Sequence, residues 1–414
     1  MLRLPAGTVR LALGADYREE RLEAHRDTLT MATGVVEPDT DFTVGEVQRD
    51  VEALFGELSV PVIGHPDDTD GRGVELSVAA RYEDYSDFGS TSDPKVGLRI
   101  APMSGITLRG SWGTSFRAPR FNEMKILTDP FSAAAASGVP DPRSDTGFSN
   151  VLYLVGGNPD LHQETAEIWT AGIELRPAAV PDLSFTASYF DIAYQDKIQR
   201  AGDGAFGTLL VEDQWQGIVL RNPTQAQIDA VCSDPGFVGT CPSSVAAILD
   251  IRIQNIGRVD TRGIDFGLDY GVTLPLGRLT FNVNGTYVFA YERAVSRSAT
   301  PVEVLDTVGN PLDLRLRAGA GWETGPWQVN TFVNYSDRYQ DTVSDRPVDS
   351  WTTVDFSISY HLASSGWLAG TVARFAATNV FDRAPPFANT FAGYDATNAG
   401  DVGRTISLGV SKSW

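Results

Sequence analysis

The chain has 414 residues, more than one ordinary hydrophobic core holds, so it contains either several domains or one large repetitive architecture. Its 33 basic and 53 acidic residues give a net charge of −20, which argues against a track for nucleic-acid phosphates. Gly is abundant at 40 residues, aromatic residues make up 10% and Cys falls to 2. This composition favours many strands and turns over helices.

The chain has no run of about 18 apolar residues, so no transmembrane helix is predicted. A transmembrane β-barrel stays open as an interpretation, because its strands are only about 9–11 residues long and half polar. The first seven residues, MLRLPAG, have neither the apolar region nor the cleavage site of a signal peptide. An outer-membrane protein must be exported, so either the chain is a portion of a longer protein or the barrel interpretation is wrong.

Alternation of apolar and polar residues recurs along the chain, and this is the period of a strand with two different faces. Fourteen strands are predicted at or near 9–17, 47–55, 74–82, 96–100, 106–116, 169–175, 183–189, 264–270, 279–291, 314–322, 327–335, 354–360, 368–381 and 403–414. Two short helices are also predicted, one with Thr224 as its N-cap and one near Ser244.

The last predicted strand has Ile406, Leu408 and Val410 on one face, small polar residues on the other, and Trp414 at its end. An apolar face that ends on an aromatic suits a strand facing lipid, with the ring at the membrane edge. Aromatic residues lie near the ends of several other predicted strands as well. An antiparallel sheet with one face in water would show the same alternation.

The lengths of the connections separate these alternatives. Long or turn-rich connections are predicted at 22–44, 85–94, 117–163, 194–258, 292–313, 337–350 and 383–401; tight ones are predicted at 101–105, 176–182, 271–277, 323–326 and 361–367, with 60–73 as an exception. Long and short connections alternate, so the long ones all emerge at one end of an up-and-down sheet. This arrangement is typical of an outer-membrane barrel with long extracellular loops and short periplasmic turns. A sandwich with Greek-key crossings has no reason to show it.

Five separated motifs resemble the barrel of TonB-dependent outer-membrane receptors, in the order of that family. They are GSWGTSFRAP at 110–119 with FNE at 121–123, GNPDL at 157–161 with ET at 164–165, YFDI at 189–192 with KI at 197–198, NVFDR at 379–383 with PP at 385–386, and GRTISLGVSKSW at 403–414. The last of these is similar to the family's C-terminal assembly signal, which the barrel-insertion machinery reads.

The resemblance implies an all-β, transmembrane, antiparallel up-and-down barrel in the cell outer membrane. It implies energy-coupled uptake of a bulky scarce nutrient such as a metal-siderophore, cobalamin or an oligosaccharide. Family members have 22 strands and an N-terminal plug that contacts TonB. Residues 1–414 show about fourteen strands and no plug, so we interpret them as one domain, the C-terminal part of such a barrel.

No catalytic constellation is visible, and we predict neither enzymatic activity nor a cofactor. The four His residues are scattered without metal-ligand spacing, so no metal site is predicted. Cys232 and Cys241 bracket a short Pro/Gly-containing loop in a long connection. In an oxidising compartment a disulfide that rigidifies this loop is favoured over two free thiols.

Trp215, in the longest connection, is the candidate for contact with an extracellular ligand, although packing within its own loop explains it equally well. The predicted partners are outer-membrane lipid, the barrel-assembly machinery, a small-molecule or oligosaccharide ligand, and TonB only through a plug; nucleic acid is not among them. Two other functions stay open: a passive outer-membrane channel, and a soluble secreted glycan-binding β-protein. The apolar stripe at 279–291 argues against the soluble protein, because it is too apolar for a face in water.

Overall fold

The structure, a computed structural model, describes residues 2–26, 29–32, 35–38, 42–64, 72–124, 132–201, 210, 215, 217–362 and 365–413. Fourteen strands form one antiparallel sheet in which each strand pairs with its neighbour in the chain. They are β1 (Arg10–Arg26), β2 (Phe42–Gly64), β3 (Gly73–Tyr85), β4 (Gly89–Met103), β5 (Ile106–Arg117), β6 (Glu164–Leu175), β7 (Leu183–Arg200), β8 (Ile253–Leu274), β9 (Gly277–Ala294), β10 (Leu314–Thr324), β11 (Trp327–Ser336), β12 (Trp351–His361), β13 (Thr371–Thr378) and β14 (Thr405–Lys412). The predicted all-β, up-and-down fold is confirmed.

Shorter elements lie outside this path. The strands are Arg3–Leu4, Gly7–Thr8, Leu29–Ala32, Val35–Pro38, Ala133–Pro140, Phe148–Leu154, Val219–Arg221, Phe237–Val238, Ala247–Asp250, Val302–Glu303, Tyr339–Asp341 and Arg346–Val348; the helices are α1 (Phe121–Met124) and α2 (Gln225–Cys232). Thr224 caps α2 as predicted, in a reciprocal capping box with Gln227. The helix predicted near Ser244 is wrong, because the chain there enters the strand Ala247–Asp250.

One predicted connection is also wrong. The turn-like segment 85–94 is mostly strand, because Ser90 to Pro94 pair in register with Asp84 to Ala80 of β3. Only three residues, 86–88, join β3 to β4. Backbone hydrogen bonding to a neighbouring strand thus overrides a composition that favours turns.

The two faces of the sheet differ in chemistry. One face, here the apolar face, leaves large side chains uncovered: Leu13 is 76% exposed, Trp169 55% and Leu408 81%. The other, the polar face, carries hydroxyl, amide and guanidinium groups, such as Ser111, whose hydroxyl lies 2.7 Å from that of Thr170 on the next strand. This alternation is expected of a wall between lipid and a hydrated lumen.

One apolar stripe of β2 does not follow this division of the faces. Its residues Val51 and Ala53 lie on the polar face, where they are 0 and 3% exposed. Val51 lies between Arg18 of β1 and Tyr85 of β3 in the register. The Arg18 guanidinium donates to the Tyr85 hydroxyl at 3.0 Å and so passes over Val51. Long polar side chains from both neighbours therefore cover this stripe.

The clusters of buried apolar side chains lie mostly in the long connections at one end of the sheet. Connections 118–163 and 201–252 form the first loop cluster. It contains a five-stranded sheet and two apolar groups, among them Val151, Leu152 and Leu249, all 0% exposed. Connections 295–313, 337–350 and 379–404 form the second loop cluster around Leu312, Tyr339, Val348 and Ala388.

Candidate functional site

The first two family-like motifs meet where the sheet joins the first loop cluster. Arg117, the last residue of β5, binds Glu123 of α1 at 2.9 Å and Glu164, the first residue of β6, at 2.7 Å. Glu164 is only 2% exposed, and it also accepts a hydrogen bond from the Tyr194 hydroxyl. One network of charged side chains therefore joins the two ends of connection 118–163, which is more than forty residues long.

The GNPDL motif is held beside this network. The Asn158 amide donates to the Glu123 carbonyl at 2.9 Å, and the Asn158 Oδ1 accepts from the amide of Asp160 at 3.0 Å. Beyond the motif, Asn255 of β8 accepts from the amide of His162 and donates to its carbonyl, at 3.0 and 2.8 Å. These bonds hold the end of connection 118–163 against β8.

The NVFDR motif shapes the start of the last long connection. Asn379 adopts φ 47°, and its side chain bonds both the amide and the carbonyl of Arg383, at 2.9 and 3.0 Å. The Asp382 carboxylate accepts from the amide of Arg404 at 2.7 Å, just before β14. Three of the five motifs that carry the resemblance therefore act as structural junctions at the ends of strands.

Two cavities are candidates for ligand binding. The larger, about 550 Å³, is a depression in the polar face of β7 to β11, bounded by Arg315 and Arg317 on one side and Asp265 on the other. Arg317 is partly neutralised by Asp355 at 3.6 Å and lies over the Phe332 ring at 4.2 Å. The hydroxyl, amide and charged groups that line this depression suit a polar ligand.

The smaller cavity, about 370 Å³, lies between the roots of the loops and is called here the loop-root cavity. Its wall combines Asn158, Asp160, His162, Gln254 and Arg297 with two buried Ile residues, Ile218 and Ile256. The Arg297 Nη2 lies 3.2 Å from the Nε2 of His162 and 3.1 Å from the carboxylate of Asp196. Arg297, in connection 295–313, thus contacts both connection 118–163 and β7.

The second loop cluster is held by a buried carboxylate. Asp341 is 0% exposed and accepts hydrogen bonds from the Ser344 hydroxyl at 2.6 Å and from the amides of Asn389, Ser344 and Val343. The Ser344 hydroxyl, followed by these amides, lowers the pKa of Asp341 from 3.8 to about 2. Nearby, burial raises the pKa of the Tyr339 hydroxyl to about 12, with Asp395 adding to the effect.

The site residues proposed from the sequence do not come together. Trp215 is 5% exposed inside the apolar core of the first loop cluster, which favours packing, the alternative interpretation, over ligand contact. Cys232 and Cys241 are joined as a disulfide with their Cα atoms 5.7 Å apart. Ile406, Leu408 and Val410 are 59, 81 and 77% exposed on the apolar face, and Trp414 lies outside the described residues.

The described residues contain no group of three or more His, Cys, Asp or Glu side chains able to hold a metal ion. Within the same part of the chain, no helix has the length and apolar character needed to cross a membrane. Sequence reasoning missed the loop-root cavity. The GNPDL motif was a signal for it, but Gln254 and Arg297 join Asn158 only in the folded chain.

A family model for TonB-dependent-receptor-like β-barrels matches residues 2–380. No curated protein matches the chain. Among solved structures, the siderophore receptor PirA from Acinetobacter baumannii is similar, with a TM-score of 0.62 at 14% identity over 100% of this chain and 53% of that one. A mutant ferric enterobactin receptor, PfeA from Pseudomonas aeruginosa, in complex with enterobactin, gives 0.65 at 16% over 100% and 53%.

The outer membrane transporter YddB from Escherichia coli gives a TM-score of 0.59 at 12% identity, over 98% of this chain and 51% of that one. The chain thus spans about half the length of the solved structures that it resembles. At these identities the likeness establishes the fold.

Proposed function

Because the chain belongs to the family of TonB-dependent-receptor-like β-barrels, we propose that it forms part of the wall of an outer-membrane receptor. Its function is the energy-coupled uptake of a bulky, scarce nutrient, such as a metal-siderophore, cobalamin or an oligosaccharide. The function is binding and transport, without a catalytic step.

One observation carries this proposal. Large exposed apolar side chains follow one face of the sheet, polar side chains follow most of the other, and the long connections cluster at one end. In water an apolar face of this extent would drive association, whereas in a bilayer it is solvated by lipid. The loop clusters then stand outside the cell, where a nutrient arrives.

The partners follow from the same arrangement. Outer-membrane lipid covers the apolar face, and the barrel-assembly machinery reads the strand that carries Ile406, Leu408 and Val410. We propose that contact with TonB is made through a plug domain. Similarity to siderophore receptors supports a chelate as cargo, and the depression beside Arg315 and Arg317 offers cationic groups for one.

The test is uptake by cells in which the gene encoding this chain is intact or deleted. Labelled ferric siderophores, cobalamin and neutral oligosaccharides are offered in turn, with and without a protonophore. We expect deletion to abolish the uptake of one class, and the protonophore to abolish the same uptake in the intact strain.

Uptake that needs the gene but persists with the protonophore would replace this proposal with a passive channel, which would also conduct ions in a planar bilayer. Recovery of the protein from the aqueous phase without detergent would instead favour the soluble glycan-binding alternative.

A further inference from the structure

The loop-root cavity contains hydrogen-bonding groups that the protein itself does not use. Asn158 is only 9% exposed; its Oδ1 is occupied by the amide of Asp160, but among the described residues nothing accepts from its Nδ2. Solvent reaches this Nδ2 from the cavity, so the donor is open to a ligand. A ligand in the cavity would accept from it in place of water.

Two more side chains on the wall, Arg297 and Gln254, use some of their polar atoms in hydrogen bonds within the protein. Their remaining polar atoms are available to a ligand. Arg297 uses its Nε for the Asn255 carbonyl and its Nη2 for Asp196 and His162, which leaves Nη1 as a donor. The Nε2 of Gln254 donates to the Asp250 carbonyl at 2.7 Å, which leaves Oε1 as an acceptor. Both groups are therefore fixed before any ligand arrives, which lowers the entropy cost of binding.

The cations around the cavity are paired with carboxylates of the protein. Arg297 faces Asp196 at 3.1 Å, and the nearby Arg252 guanidinium is paired with Asp250 at 2.7 Å. The Nδ1 of His162 lies 3.0 Å from the Gln163 carbonyl, and its Nε2 lies 3.2 Å from the Nη2 of Arg297. Because both of these guanidinium groups are paired, they do not select an anion, and the exposed Asp160 carboxylate remains an acceptor for hydroxyl groups.

We propose that the loop-root cavity binds a neutral polyhydroxylated ligand, one unit of a saccharide. A hydroxyl group both donates and accepts, so a ring of hydroxyls matches a wall that carries both donors (Asn158, Arg297) and acceptors (Gln254, Asp160). The apolar side chains of Ile218 and Ile256 meet the C–H face of such a ring. The volume of about 370 Å³ lies within the usual range for ligand pockets.

This proposal rests on the proposed receptor function and names the ligand class of one site, since the loop-root cavity favours a saccharide unit over a charged chelate. The sugar unit could belong to a free oligosaccharide or to a glycan fixed on a surface. Both present the same chemistry to the cavity.

The test is binding of the full chain, refolded in detergent micelles, to an array of neutral oligosaccharides. We expect binding to a subset of the array, and competition by the same saccharides in solution if free ligands are accepted. Failure of the free saccharides to compete would assign the site to surface-fixed glycans. Absence of binding to every saccharide on the array would overturn the proposal, as would binding of citrate in the cavity in their place.

Two variants locate the binding. Asp160→Ala removes an exposed acceptor without touching the fold, and Asn158→Asp keeps Oδ1 for the amide of Asp160 but replaces the Nδ2 donor. Each should weaken binding about tenfold or more, the cost of one hydrogen bond left unmade. Asp145→Ala, which removes an exposed carboxylate elsewhere in the first loop cluster, is the matched control and should bind normally. Undiminished binding by both cavity variants would refute this location.

The two proposals fail separately. Saccharide binding that depends on Asn158 and Asp160, in a protein whose deletion changes no uptake, would refute transport and leave the site. Uptake that depends on the gene, without saccharide binding, would refute the site and leave transport.

Discussion

The sheet and the loop clusters follow opposite rules of burial. On the sheet, large apolar side chains such as Leu13 and Leu408 remain 76 and 81% exposed, while in the loop clusters Val151 and Leu249 are 0% exposed. The loop clusters therefore resemble a small water-soluble domain, with apolar residues inside. The strands keep their order through backbone pairing and place their apolar residues outside. One chain thus carries segments suited to two different solvents.

The junction between these regions should be the most sensitive point. Arg117→Ala leaves the 2% exposed Glu164 without its cation, and removal of one partner from a buried pair costs about 3–5 kcal/mol. We expect a loss of this size in the free energy of unfolding, measured by urea titration of the protein in lipid vesicles.

Arg109→Ala is the matched control on the same strand, since Arg109 is 64% exposed in its pair with Glu174. Its loss should be at most about 1 kcal/mol. Equal losses for the two variants would show that the junction is no stronger than a surface pair.

The apolar face offers a second way to test the comparison. Leu268→Arg places a charge on that face within β8 and should destabilise the protein by about 2–4 kcal/mol in a bilayer. Thr186→Arg, on the polar face opposite Gly267 in the register, should change the stability much less. A detergent-free vesicle assay measures both, and a larger effect from Thr186→Arg would reverse the assignment of the two faces.

The sheet was predictable from the sequence because its signal is local. A two-residue period recurs in every strand, and even single-residue features such as the capping role of Thr224 follow from neighbouring residues. The start of β4 was not predictable, since the strand character of Ser90 and Pro94 comes from pairing with β3.

The loop clusters were predictable only as long connections. The five-stranded sheet of the first loop cluster joins segments more than one hundred residues apart, such as Ala133–Pro140 and Phe237–Val238. Asn158 became a candidate only because the fold brings Gln254 and Arg297 to the same cavity. The spacing of residues within the GNPDL motif does not show that the Asn158 side chain has an unused amide donor. Trp215 is the converse case, because a conspicuous aromatic in a loop turns out to be buried.

The smallest expected effect concerns pH and the second loop cluster. Because the folded pKa of Asp341 is about 2, below its ordinary value of 3.8, the ionised carboxylate stabilises the fold above about pH 4. This contribution should disappear as the pH falls from about 4 towards 2. Hydrogen-exchange protection of the amides of Asn389 and Ser344, corrected for intrinsic rates, should fall over that interval.

Asp341→Asn should show low protection at neutral pH and little further change on acidification, because its side chain does not ionise. Asp345→Asn, an exposed neighbour at φ 49° that Asn tolerates equally well, should behave like the unmodified chain. If Asp341→Asn kept the same acid-dependent loss, another carboxylate would have to be responsible. The β9 to β12 strands beneath should keep their protection throughout, since the polar contacts of Asp341 lie within the second loop cluster and backbone pairing holds the sheet.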